Sequence, residues 1–167
     1  MEDAEDDLEY VFVKKLVELI TTLGDMIDEN TKTNSLPKDS DIYGYFVLMH
    51  EIAKHPSLMV SGLVLKFWCT VLRVDRLSEM HGVSELFQDL LETATSRCIN
   101  YEDLPKDNLS VQYMDIDFDS QMDKTQFFKN YQRYIEDILR LIVCRFPIGS
   151  AQILHSVMMK YFETELG

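Results

Sequence analysis

Residues 56–74, PSLMVSGLVLKFWCTVLRV, have almost no polar face. At helical spacing, Leu58, Met59, Val60, Leu63, Val64, Leu65, Phe67, Trp68, Cys69, Val71, Leu72 and Val74 point in nearly every direction. A helix on the surface of a globular domain keeps an apolar stripe of roughly 100° and a polar remainder. Here the run is broken only by Ser57, Ser61, Gly62, Lys66, Thr70 and Arg73. It is too short to cross a bilayer, which takes about 20 apolar residues, and Lys66 sits in its middle. The stretch therefore predicts a helix sandwiched between other helices, with no membrane insertion.

The remainder of the chain fits that setting. Its 167 residues approach the roughly 150 of one domain, and 46% hydrophobic content supplies a real core. Only six glycines and four prolines punctuate it, which favours helices over many short strands. The net charge of −13 disfavours binding to a phosphate backbone and suits a partner with a basic patch. Cys69, Cys98 and Cys144 form no Cys-x-x-Cys pair and read as reduced thiols of a nucleocytoplasmic protein. The acidic residues 2–7 read as a solvated lead-in and not as a signal peptide.

Six helices are expected in order. The first spans about 6–29, where Leu8, Val11, Phe12, Leu16, Leu19, Ile20, Leu23, Met26 and Ile27 repeat at three and four. After a polar loop over 31–38, closed by Pro37, Asp39 or Ser40 caps a second helix over about 40–54. Pro56 ends it, because the residue before proline avoids the α region. Ser57 caps the sandwiched helix, about 57–75, and a fourth runs over about 83–100 on Leu86, Phe87, Leu90, Leu91, Ala94 and Ile99. Residues 101–121 have no helical period and read as a solvated acidic loop. A fifth helix covers about 122–146, with Phe127, Tyr131, Tyr134, Ile138 and Leu141 on one face. Phe146-Pro147 turns into a sixth, about 148–166.

The turns at Pro56 and Pro147 recur about ninety residues apart, or two helix pairs of roughly 40–47 residues each. This period fits an all-α HEAT-repeat solenoid of about three antiparallel pairs; a closed six-helix globule is the alternative.

Candidate chemistry is sparse. His50-Glu51 and His55 imitate a zinc helix, but the histidines are five apart, about 140° round the helix, where the motif needs four. Asp115, Asp117 and Asp119 imitate a calcium loop that lacks the turn glycine, with Gln126 where the bidentate glutamate belongs. Asn108-Leu109-Ser110 matches a glycosylation acceptor without a secretory context. No phosphate loop, catalytic signature, metal site or cofactor site is expected, and the chain reads as a non-enzyme. Two charge features remain. Lys129, Arg133 and Arg140 fall within about 40° of one another, opposite the apolar face of the fifth helix. Asp115, Asp117 and Asp119 alternate in the acidic loop. Either is a candidate partner surface, the basic stripe for acidic or phosphorylated groups and the acidic loop for a basic patch.

Three blocks carry a resemblance. They are His55-Pro56-Ser57-Leu58-x-Val60 with Leu65-x-Phe67-Trp68, then Arg97-x-Ile99-x-Tyr101-Glu102-Asp103-Leu104-Pro105-x-Asp107, then Asp117-x-Asp119 with Phe127-x-x-Asn130-Tyr131-x-Arg133-Tyr134. In this order they resemble the exportin-five family of karyopherin-β nuclear export receptors, and the blocks cover about half the chain. The resemblance implies an internal piece of a larger HEAT superhelix, with Met1 at a domain boundary and not at the receptor's own start. It further implies binding of Ran-GTP and cargo, contact with nuclear pore proteins, and shuttling between nucleus and cytoplasm. Fungal members resemble carriers of phosphorylated proteins and animal members carry hairpin RNA. The acidity here favours protein cargo over RNA. The competing reading is a stand-alone helical scaffold or regulatory domain that binds a protein partner. Exposed apolar faces on the first and last helices favour the receptor segment, since a stack of repeats buries each face against its neighbour.

Overall fold

The computed structural model describes residues 2–33, 41–98 and 104–166. They form eight helices: α1 (Glu2–Lys32), α2 (Ile42–Ala53), α3 (Leu58–Arg73), α4 (Asp75–Ser78), α5 (Leu86–Ser96), α6 (Leu109–Asp117), α7 (Gln121–Arg145) and α8 (Pro147–Leu166). A 3-10 turn, Val83–Glu85, leads into α5, entered through Gly82 at φ 79°, a conformation that favours glycine. No strand occurs among the described residues. No helix among them is long and apolar enough to cross a membrane.

Successive long helices alternate between two rows. In one row α3 lies between α1 and α7; in the other α5 lies between α2 and α8. The rows meet through α2 on α3, α5 on α7 and α7 on α8. This all-α, HEAT-like stacking of helix pairs explains the apolar girth of α3. It has α1 on one flank, α7 on the other, α2 behind and α6 laid across it. The residues that interrupt its apolar run divide cleanly. Ser57, Ser61 and Gly62 are buried, while Lys66, Thr70 and Arg73 form one exposed strip. Trp68, Leu65, Val64, Val60, Val71 and Leu72 are 0% exposed at its centre.

Local chemistry sets the helix ends. Ser57 Oγ accepts from the Val60 N–H at 3.2 Å, so the expected cap of α3 is in place. For α2 the cap is Asp41, which accepts from the Gly44 N–H at 2.7 Å; Asp39 and Ser40, expected there, lie outside the described residues, as does the loop at 34–40. Pro147 opens α8 at the first helical position, where its missing N–H costs nothing. Two arginines close C-termini from other helices. Arg97 donates to the carbonyls of Lys54 and His55 at 2.7 and 2.8 Å. Arg145 donates to the Leu72 carbonyl at 3.1 and 2.9 Å and to Asp75 at 2.6 Å. Each places a cation where the helix dipole is negative.

Two expectations are corrected. The first concerns the expected apolar set of α1, of which only Ile20 and Ile27 pack inward. Tyr10, Val13, Val17, Ile20, Gly24 and Ile27 turn inward. The more conspicuous set is outside: Leu8 (72% exposed), Phe12 (65%), Leu19 (63%) and Met26 (59%), with Val11, Leu16 and Leu23. The helix has two apolar faces about 130° apart at 100° per residue. The second concerns residues 101–121, expected to be a loop: 109–117 are helical, and 99–103 lie outside the described residues. Asn108 caps α6 by accepting from the Ser110 N–H at 2.9 Å. Ser110 donates to the Pro56 carbonyl at 2.8 Å and Met114 is 0% exposed. Tertiary contacts hold this helix in place of an apolar stripe.

His50 shows what enclosure between the rows does to a titratable group. It is 2% exposed and its Nε2 has no hydrogen-bond partner among the described residues. Burial, then Lys54, lowers its pKa below the ordinary value near 6.5. His55 is lowered by burial and by Arg97. A lowered folded-state pKa makes the unfolded chain the better proton binder, so stability is full above about pH 6.5 and falls as the pH drops below it. The acidic pair effects on Glu51 and Asp137, whose pKa values are lowered, are lost only further down, through the carboxylate range. Urea unfolding at pH 7.5 and 5.5 is therefore expected to give less stability at 5.5. In His50→Gln the gap narrows; an unchanged gap would assign the dependence to other groups.

Candidate interaction surface

The basic stripe rides on α7, which Ser120 starts by accepting from the Asp123 N–H at 3.1 Å. Phe128, Tyr131, Ile135, Ile138 and Ile142 face inward; Tyr131 and Ile138 belong to the expected face and the other three to the residues expected to widen it, while Phe127, Tyr134 and Leu141 are half-buried. Lys129, Arg133 and Arg140 are exposed, but they are not equivalent. Arg140 donates to Asp137 at 2.7 Å, and Asp137 also receives Arg73 from α3. The two arginines hold the Asp137 carboxyl below the usual carboxylate range, Arg140 more than Arg73, and tie the flank of α3 to α7. Lys129 and Arg133 have no acidic partner among the described residues. The Arg133 guanidinium lies 6.0 Å from the centroid of the Tyr134 ring.

The acidic row is dispersed by the helical turn of α6. Residues two apart on a helix point about 160° from each other, so the alternating carboxylates do not share a face. Asp115 is exposed and pairs with Lys124 of α7. Asp119 is exposed in the bend before α7. Asp117 goes inward, with its side chain 1% exposed. It accepts from Tyr10 Oη at 2.6 Å and from Lys14 Nζ at 2.6 Å, both on α1. Tyr10 Oη also lies 2.7 Å from Ser57 Oγ. The single phenolic proton goes to Asp117, so Ser57 donates to Tyr10 while accepting from Val60. Burial, reinforced by the bond to Asp117, raises the Tyr10 pKa well above its ordinary value. The carboxylate expected to meet a partner instead joins α1, the start of α3 and α6.

A parallel polar chain lies on the other side of the α3 start. Ser61 Oγ is 3.2 Å from Tyr131 Oη, and Arg97, which clasps the end of α2, also reaches Tyr131. His55 Nδ1 accepts from the Ser57 N–H at 3.1 Å, and its ring lies 5.7 Å from that of Tyr113. Sequence spacing signalled Ser57 as a cap. It gave no sign of Tyr10, Lys14 or Arg97, whose partners lie tens of residues away. The blocks of resemblance, His55-Pro56-Ser57, Arg97 and Tyr131, converge on this one junction of helices.

The Exportin-5 family model matches residues 7–166. Protein MSN5 of Saccharomyces cerevisiae is 32% identical over 163 residues, 97% of this chain and 13% of that protein. An uncharacterized protein of Schizosaccharomyces pombe is 32% identical over 165 residues, 95% of this chain and 13% of its own length. Exportin-5 of Dictyostelium discoideum is 30% identical over 142 residues, 84% of this chain and 12% of that protein. The chain thus spans only 12–13% of the length of these relatives. No solved structure matches it. With nearly every described helix inside the matched span, the chain belongs to the Exportin-5 family.

Proposed function

We propose that this chain is a HEAT-type segment within a nuclear export receptor that binds Ran-GTP together with protein cargo and shuttles through the nuclear pore. The observation that carries the segment reading is the pair of uncovered apolar end faces. On α1 it runs from Leu8 to Met26. On α8, Ile148 is 78%, Met158 56% and Phe162 48% exposed. In a stack of repeats each such face is covered by the next helix pair. A sealed regulatory domain has no use for two of them, which weighs against the stand-alone scaffold.

Protein cargo is favoured over RNA by the net charge of −13. Lys129 and Arg133 are the stripe members left to meet acidic or phosphorylated groups, and Asp119 is the carboxylate left to meet a basic patch, Asp115 being paired with Lys124. The receptor acts by binding and release, with no chemical step assigned to these residues.

The test is binding of Ran by the full-length receptor, loaded with GTP or with GDP, with and without cargo extract. The expected result is a strong preference for the GTP form that cargo strengthens. Equal binding in both states, or none, by a folded receptor overturns the transport reading and leaves a helical scaffold. Charge reversal at Lys129 and Arg133 is expected to weaken cargo retention while leaving the helix content unchanged.

A further inference from the structure

Between α3 and α7, on the face of their row turned away from α2 and α5, lies a groove of about 200 Å³. Gly62, Leu63 and Lys66 line one wall, Phe127, Asn130 and Tyr134 the other, with Tyr131 at the base. Gly62 contributes no side chain. A β-carbon there would lie 3.3 Å from the Tyr131 ring and 3.6 Å from that of Phe127, so the aromatic surface stays within reach. The walls are braced from behind: the Phe127 ring lies 5.1 Å from Phe118 and 6.1 Å from Tyr131. The slot is preformed, and its ordering is not charged to an incoming ligand.

Its rim is polar and uncommitted. Asn130 makes no side-chain hydrogen bond among the described residues, and Lys66 and Arg133 make no ion pair there. That is notable in a chain with 29 acidic and 16 basic side chains. Other cations are engaged: Lys14 with Asp117, Lys54 with Glu51, Arg73 and Arg140 with Asp137, Arg145 with Asp75. Lys66 and Asn130 edge the apolar slot, and Arg133 stands beside it with its guanidinium 6.0 Å from the centroid of the Tyr134 ring.

We propose that this groove docks an extended acidic peptide of a partner protein, which inserts one apolar or aromatic side chain between α3 and α7. The Asn130 carboxamide, a donor and an acceptor together, pairs with the peptide backbone. Lys66 and Arg133 take the carboxylates that flank the anchor. The polarity of the surface also sets a direction. Beyond Lys66, toward α1, the neighbouring groove is lined by Glu18 and Asp25, so the more acidic flank of the peptide lies on the α7 side. Because the whole chain is negative, long-range attraction does not recruit an acidic peptide. Affinity comes from local contacts inside a Debye length of about 8 Å, and it requires anchor and charge together. This site shares Arg133 with the basic stripe of α7 but needs neither Lys129 nor Arg140, and it stands whether the chain serves a receptor or a scaffold.

The test titrates the full chain with a short fluorescent peptide that carries one central phenylalanine flanked by glutamates. Matched peptides replace the glutamates by glutamine or the phenylalanine by alanine. Anisotropy is expected to show each replacement weakening binding by about tenfold or more. Lys66→Glu, on an exposed position, is expected to do the same with an unchanged melting curve. Asn130→Ala is expected to weaken binding several-fold. In amide spectra of the labelled chain, the Gly62 backbone and Asn130 side-chain signals should move with peptide. The proposal is overturned if no binding occurs at millimolar peptide, if the glutamine peptide binds equally well, or if folded Lys66→Glu keeps its affinity within twofold. Movement of signals elsewhere with these two still would overturn it as well.

Discussion

Replacing Trp68 by alanine is expected to remove about 3–5 kcal/mol of stability, the range for deleting a large aromatic side chain from a well-packed core. Trp68 is 0% exposed and lies where α3 packs against α2. Its ring centroid is 5.8 Å from that of Phe46 on α2 and 5.7 Å from that of Phe67 on its own helix. The hole left behind touches both rows, and neighbours fixed from several sides cannot collapse into it. The indole N–H has no hydrogen-bond partner among the described residues, so the loss is one of packing and not of a polar contact. In a chain of this length the change corresponds to a drop in melting temperature on the order of 10 °C. Trp68→Phe, which keeps much of the volume, should recover over half of it. A cost under about 1 kcal/mol for the alanine variant, by urea unfolding, would mean that α3 is not the centre of the core.

The reason α3 was legible in the sequence is the same reason Trp68 matters. A helix apolar on all sides has few places to be, and composition alone points to burial. Short turns at Pro56 and Pro147 and the cap at Ser57 were equally local signals, so the paired, all-α stacking could be read in advance. Two features were not readable, for different physical causes. On α1 the pattern was visible but ambiguous. Two apolar faces about 130° apart give a helix two sides on which to pack, and periodicity cannot say which of them the described residues fill. Of the expected apolar set only Ile20 and Ile27 pack inward, and the rest is outside. On α6 there was no pattern to see. Only Ser110 and Met114 of this helix are buried, and it is held by a cap, by a carbonyl bond to Pro56 and by one carboxylate. Such a helix is specified by its surroundings, and propensity is overridden.

The candidate site divides along the same line. Exposed cations on a helix face obey the 3.6-residue period, so Lys129, Arg133 and Arg140 were found together. Their partners are set by tertiary structure, and that is what separates Arg140, shared with Asp137 and Arg73, from the other two. The acidic row was read as part of a solvated loop because residues 101–121 show no helical period, whereas α6 sends Asp115 and Asp117 to opposite sides. The groove between α3 and α7 left no trace in the sequence, since its walls come from segments more than sixty residues apart.

Asp117 supplies the second large expected effect. Asp117→Ala removes the acceptor shared by Tyr10 and Lys14 and leaves both donors facing a nearly dry pocket. Breaking one partner of a buried ion pair typically costs about 3–5 kcal/mol. Lys14 keeps 24% of its side chain in solvent and can turn outward, so the expected loss is near the lower end, about 3 kcal/mol. The damage should also be local in a way the Trp68 cavity is not. α6 has little else to hold it, so its amides, together with those at the start of α3, are expected to lose hydrogen-exchange protection well before the α5–α7 contact does. Tyr10→Phe removes only the phenolic link between Asp117 and Ser57 and keeps the Lys14 pair; it should cost about 1–2 kcal/mol. In a double-mutant cycle the two changes should be strongly coupled, because they delete the same bond. Independent, additive effects would mean that Tyr10 and Asp117 stabilise the chain separately. Unchanged exchange in α6 on loss of Asp117 would show that the helix is held by Ser110 and Met114 alone, and that the junction of α1, α3 and α6 is packed and not latched.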